Sequence, residues 1–127
     1  MRQAVLASLG VVTMFCADPL TAQPPAAATQ IEHGRQVYTY WCATCHGSEL
    51  GLPGIDGLPG TQQLRIKYRG TEIPAVLEER TDLVPDFIKV IVRQGVSFMP
   101  HFRKTEVSDA DLEAIAAFLT RNNPTPP

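Results

Sequence analysis

Cys42, Cys45 and His46 stand close together in the run Trp41-Cys42-Ala43-Thr44-Cys45-His46-Gly47. Two thiols separated by two residues, with an imidazole directly after the second, form the spacing that attaches a c-type haem. Each sulfur can add across one haem vinyl group to form a thioether. Two intervening residues let both sulfurs reach from a single turn of backbone. The histidine then falls beneath the iron and ligates it as a neutral imidazole. Zinc could use the same side chains, but a structural zinc site takes four ligands, and His33 and His101 are isolated along the chain. A thioredoxin-like redox pair belongs to a mixed strand and helix pattern, which this sequence lacks. A structural disulfide across two residues would be strained.

An iron held by one histidine needs a sixth ligand if it is to do no bond chemistry. The segment Gly95-Val96-Ser97-Phe98-Met99-Pro100-His101-Phe102 supplies a candidate. Met99 offers a soft, neutral thioether, and Met/His ligation raises the reduction potential by favouring ferrous iron. Pro100 confines Met99 to an extended backbone. His101 is the competing ligand, and a bis-histidine iron would have a lower potential. His33 lies too near the motif, on the same helix, to reach the other face. With both axial positions filled the chain carries single electrons. The alternative is a haem protein whose sixth site opens, acting as a peroxidase or ligand sensor.

The other elements must surround and tune this iron. The chain has 127 residues, 44% apolar and 19% charged, with a formal net charge of −2. This is one globular domain with no basic excess to suggest nucleic acid or an anionic bilayer as partner. Arg2 followed by the apolar stretch 4–16 reads as a cleavable signal peptide over residues 1–22, too short to span a membrane. Cleavage is expected after Ala22 or after Ala28. Cys16 leaves with the leader, as do Met1 and Met14, so Cys42 and Cys45 have no competing thiol and Met99 no competing thioether. Export agrees with c-type attachment, which in bacteria occurs outside the inner membrane, so the expected location is the periplasm. Residues 23–30, with Pro24, Pro25 and three alanines, read as a flexible lead-in, and 31–122 as the domain, followed by a tail over 123–127.

Apolar residues at Ile31, Gly34, Val37, Tyr38 and Trp41 predict a helix over 31–42. Gly34 is expected where another helix approaches closely. The glycine and proline punctuation of 47–60 predicts a loop. A backbone carbonyl from it would accept the outer ring N–H of His46, with Pro59 the first choice and Pro53 the second. Thr61 is expected to cap a short helix ending at Tyr68. Pro74 and Pro85 open helices over 74–80 and 85–94, the latter with a stripe of Phe87, Ile88, Ile91 and Val92. Ser108, with Asp111 three residues on, caps a last helix running to about Arg121. Tyr68 and Arg80 are candidates to bond the haem propionates. Arg103 and Lys104 are candidates for a surface that meets an acidic partner.

The motif, Met99-Pro100, Gly34 and the apolar last helix together resemble class I monohaem cytochromes c. That resemblance implies an all-α fold of short helices and loops around one covalently bound haem, with the first and last helices crossing. It also implies outer-sphere electron transfer rather than catalysis. The blocks Lys67-Tyr68-Arg69-Gly70, Arg80-Thr81-Asp82-Leu83, Val92-Arg93-Gln94-Gly95 and 99–106 are similar to the cytochrome subunit of flavocytochromes of the p-cresol methylhydroxylase type. By that likeness the electron donor would be a flavoprotein dehydrogenase subunit oxidising a 4-alkylphenol. The acceptor would be a periplasmic copper protein or another cytochrome. His101 departs from the aromatic residue expected there.

Overall fold

The computed structural model describes residues 25–48 and 57–124. The expected signal peptide, the start of the lead-in, Pro53 and the last residues of the tail lie outside that set. Among the described residues the fold is all-α, with five α-helices, one short 3-10 helix and no strand.

Helix α1 spans Ala26–Trp41 and α5 spans Asp109–Leu119. These two cross, and the crossing is the centre of the molecule. Gly34 is where they touch: a Cβ there would lie 2.0 Å from the Ala114 carbonyl oxygen and 2.9 Å from Phe118 Cβ. No side chain fits, so the close approach expected for Gly34 is present. Tyr38 continues the contact one turn on, its ring centroid 5.4 Å from that of Phe118. The α5 face buries Leu112, Ala114, Ile115, Ala116, Phe118 and Leu119. Each large side chain among them contributes about 1.5–3 kcal/mol by leaving water.

Helix α1 begins at Ala26, not at residue 31, so five of the eight residues of the expected lead-in are helical. Three consecutive alanines, the strongest helix formers, follow Pro25, and the Pro25 carbonyl accepts from the amides of Ala28 and Thr29. At the other end of the fold Ser108 and Asp111 form the expected reciprocal capping box.

Helix α2 is the single turn Ala43–His46, and α3 spans Pro59–Lys67. Helix α4 spans Pro85–Gln94 and buries Ile88 and Val92. Phe87, counted in its apolar stripe, instead faces out and is 58% exposed. Residues 74–80 do not form a helix from Pro74; only the 3-10 turn Leu77–Glu79 appears. A single 3-10 turn has few backbone bonds of its own, and those have poor geometry. It is held instead by tertiary bonds, the Glu78 carbonyl accepting from Arg121 and Asn122.

Candidate functional site

The last turn of α1 runs into α2 with one change of direction at Cys42 (φ −114°, ψ −37°). The Cys42 amide donates to the Tyr38 carbonyl (2.8 Å), and the Cys42 carbonyl accepts from both Cys45 (3.0 Å) and His46 (2.9 Å). Cys45 is exposed and Cys42 partly buried, and both are free thiols. Burial, with Cys45 nearby, pushes the Cys42 thiol up to about 12.

Two side chains tie this turn to the rest of the fold. Tyr38 Oη donates to the His46 carbonyl at 3.0 Å, and Thr61 Oγ1 donates to the Gly47 carbonyl at 2.9 Å. Both residues are buried. Neither role was visible in the sequence. Tyr38 reads there as one more position of an apolar face, and Thr61 as a cap. Helix α3 in fact starts two residues before Thr61, with Pro59 in its first turn and Leu58 as its flanking residue. Proline suits that place because its missing N–H would have no partner there. Thr61 is thereby freed to reach across to Gly47.

Burial lowers the pKa of the His46 imidazole by desolvation, which disfavours its charged form. Its Nδ1 is buried without a hydrogen-bond partner among the described residues. The Pro59 carbonyl therefore does not take the role expected of it, because Pro59 has become part of a helix. Gly60 instead packs its backbone on the ring; a Cβ on it would lie 2.6 Å from His46 Cε1 and 2.8 Å from Nδ1.

The ring faces a cavity of about 380 Å³ lined by Trp41, Cys42, Cys45, His46, Pro59 and Gly60 on one side. Val96, Phe98, Met99, Pro100 and Phe102 line it on the other, with Leu64 and Lys67 of α3 between. The fold thus brings both thiols, the imidazole and the thioether, from distant parts of the sequence, onto one mostly apolar cavity. His101, the competing ligand, is exposed and absent from this lining.

This donor set fits a flat, apolar macrocycle carrying an iron. Two thiols, an imidazole and a thioether come from residues that border the cavity, and the remaining lining is largely aromatic or aliphatic. Trp41 and Phe102 meet edge to face at 5.9 Å between centroids. They join the two walls.

Tyr68 and Arg80 do not line this cavity. The Arg80 guanidinium sits 4.9 Å over the Tyr68 ring and bonds both carboxylate oxygens of Asp82, at 2.8 and 2.6 Å. Arg80 is 7% exposed, so the pair with Asp82 satisfies a charge that burial would otherwise penalise. Arg103 and Lys104 are likewise engaged within the chain, with Glu106 and Asp109.

Residues 29–119 match the family model described as cytochrome C oxidase, cbb3-type, subunit III. No curated protein matches the chain. No solved structure matches it either.

Proposed function

Because the chain belongs to this family of cytochrome c domains, and so carries covalently bound haem c and handles single electrons, we propose that Cys42 and Cys45 form the two thioethers and that His46 and Met99 are the axial ligands. The observation that carries this reading is that all four side chains line one cavity. The bound haem would supply an iron that alternates between its ferric and ferrous states, one electron at a time.

The chain's own residues would do the remaining work. The His46 imidazole, whose charged form burial disfavours, would donate a ring-nitrogen lone pair. Met99 offers a neutral sulfur, which favours the ferrous state and raises the potential. Phe98, Phe102 and Val96 keep the sulfur wall apolar, and a low dielectric disfavours the extra charge of the ferric form. Cys45 and Trp41, both exposed, leave a short route from that edge to a partner.

The chain works in the periplasm, delivered there by cleavage of the leader over residues 1–22. Among the described residues no helix is long and apolar enough to cross a membrane. Its donor is a flavoprotein dehydrogenase subunit of the 4-alkylphenol-oxidising type, supported by the sequence blocks around Tyr68, Arg80, Arg93 and Met99. Its acceptor is a periplasmic copper protein or another cytochrome.

Visible absorption of the purified protein tests the ligand set. The oxidised protein should show the weak red band of methionine–iron ligation, and Met99→Ala should remove it and lower the reduction potential while haem stays attached. An unchanged band and potential in Met99→Ala would exclude Met99 as ligand. Rapid binding of carbon monoxide to the reduced wild-type protein would favour an open sixth site over an electron carrier.

A further inference from the structure

Met99 sits in a long connection between α4 and α5 that has little regular structure. Its tip is a tight turn in which the Val96 amide donates to the Met99 carbonyl (3.2 Å) and the Met99 amide to the Val96 carbonyl (2.9 Å). Within it Ser97 takes a left-handed backbone, with φ 55°. These bonds close the turn on itself but do not attach it to anything. One backbone bond does, from the Phe102 amide to the Val92 carbonyl at 2.9 Å.

Lys104, paired with Asp109 Oδ2 at 2.6 Å, ties the far end of the connection, and a second side chain reaches further. Arg93, in the last turn of α4, reaches along the connection with both terminal nitrogens. Nη1 donates to the Phe102 carbonyl at 3.0 Å and to the Val107 carbonyl at 2.8 Å. Nη2 donates to Asp109 Oδ1 at 2.9 Å. The side chain is 22% exposed. One guanidinium thus joins the two ends of the segment that follows Met99 to the helix that precedes it. Phe102, which it grips, lines the cavity beside Met99 and meets Trp41 on the opposite wall. Three charge-assisted hydrogen bonds in a fixed planar fork suit this task, and a lysine could not reproduce them.

We infer that Arg93 is a positioning residue for the sulfur ligand: by clamping Phe102, Val107 and Asp109 it holds the connection so that Met99 stays on its wall of the cavity. The inference rests on the reading of Met99 as the sixth ligand. It adds that the strength of that ligation is set by a residue that does not touch the cavity.

The test uses the ferric holoprotein and imidazole, a ligand that can enter only when Met99 leaves. Arg93→Met keeps the aliphatic stem and removes the donors. It should retain covalent haem but bind imidazole about tenfold faster or more, the factor expected for losing a charge-assisted hydrogen bond. Its amides at Met99 and Phe102 should lose hydrogen-exchange protection by a similar factor, while those of α1 and α5 keep theirs. Arg93→Lys should fall between Arg93→Met and wild type. A wild-type imidazole rate in Arg93→Met overturns the inference, as does protection lost equally in α1 and α5, which would mark a general stabilising role. If Arg93→Met fails to fold, Arg93→Lys decides, and a wild-type rate in it overturns the inference. If the wild-type protein itself lacks the red band, the reading of Met99 fails first. That result is distinguishable, because Met99→Ala would then match wild type.

Discussion

On the histidine wall of the cavity, the backbone bonds that fix Cys42, Cys45 and His46 run to carbonyls only a few residues away, Tyr38 closes the turn from the preceding helix α1, and Thr61 ties it to α3. On the methionine wall, Met99 is held by a turn that bonds only itself, by one backbone bond from Phe102 to Val92, by the reach of Arg93, and by the packing of Met99 and Phe102 against the edge of the core. The first wall is an extension of the α1–α5 crossing and shares its rigidity. The second is a loop tied down by a few tertiary contacts. Local opening costs little where few apolar contacts and few protected hydrogen bonds resist it. The difference predicts that ligation fails on the sulfur side first, while the thioethers and His46 persist.

The largest perturbation removes the histidine wall's covalent anchor. Cys42→Ser combined with Cys45→Ser should abolish haem that survives denaturation, read as haem staining on a denaturing gel. Retained covalent haem would mean that the attachment lies elsewhere.

Next in size is Gly34→Val, which forces atoms into a contact that already has no room, with backbone on the other side. It should cost about 3 kcal/mol or more, at the upper end for an overpacked core, measured by urea unfolding. Because α1 carries the motif, it should impair haem incorporation as well. A wild-type midpoint would show that the helices can slide apart cheaply.

Gly95→Ala addresses the other wall. Gly95 has φ 71° and ψ 170°, a backbone nearly closed to residues with a Cβ, and an added Cβ would lie 2.7 Å from the Met99 carbonyl oxygen. The cost should be about 1–3 kcal/mol. The comparison is sharpened if this variant weakens the red band while covalent haem is unchanged. Equal damage to both would break it.

The smallest effect concerns the cap of α5, away from either wall. Hydrogen bonds from Ser108, and then from His33 at 2.7 Å, hold the Asp111 carboxyl below the usual carboxylate range. A carboxyl whose pKa is lowered by folding contributes stability above its unfolded value, about pH 4. That contribution is lost as pH falls through the folded value. Ser108→Ala should cost about 1 kcal/mol near neutral pH and make the decline toward about pH 3 shallower. Urea midpoints at the two pH values, compared with wild type, check both. An unchanged acid slope would mean that Asp111 is not tuned by its cap.

Much of the scaffold was legible because its signals are local. The Ser108–Asp111 pair and the proline and glycine at either end of α4 each act through neighbours in sequence, and Gly34 stands out because a glycine inside an apolar helical stripe needs a packing reason. The early start of α1 was legible too, had the alanines been weighed above the two prolines before them. What could not be read were partnerships across the chain. Thr61 looks like a cap until Gly47 is placed beside it. Pro59 looks like a loop residue until its helix forms and leaves His46 Nδ1 without that carbonyl. Arg80 reads as one more surface charge until Asp82 and Tyr68 are placed against it.

The sequence by itself determined the chemistry: two thiols and an imidazole at a spacing set by the reach of one backbone turn, and a thioether, Met99, set before a proline farther along the chain. These are properties of covalent geometry and residue type, and they need no fold to be recognised. Only the tertiary structure decided that Met99 shares a cavity with His46, that His101 does not, and that Arg93 fastens the connection between them. Those outcomes depend on which carbonyls and carboxylates packing brings within hydrogen-bond reach, and distance along the chain carries no record of it.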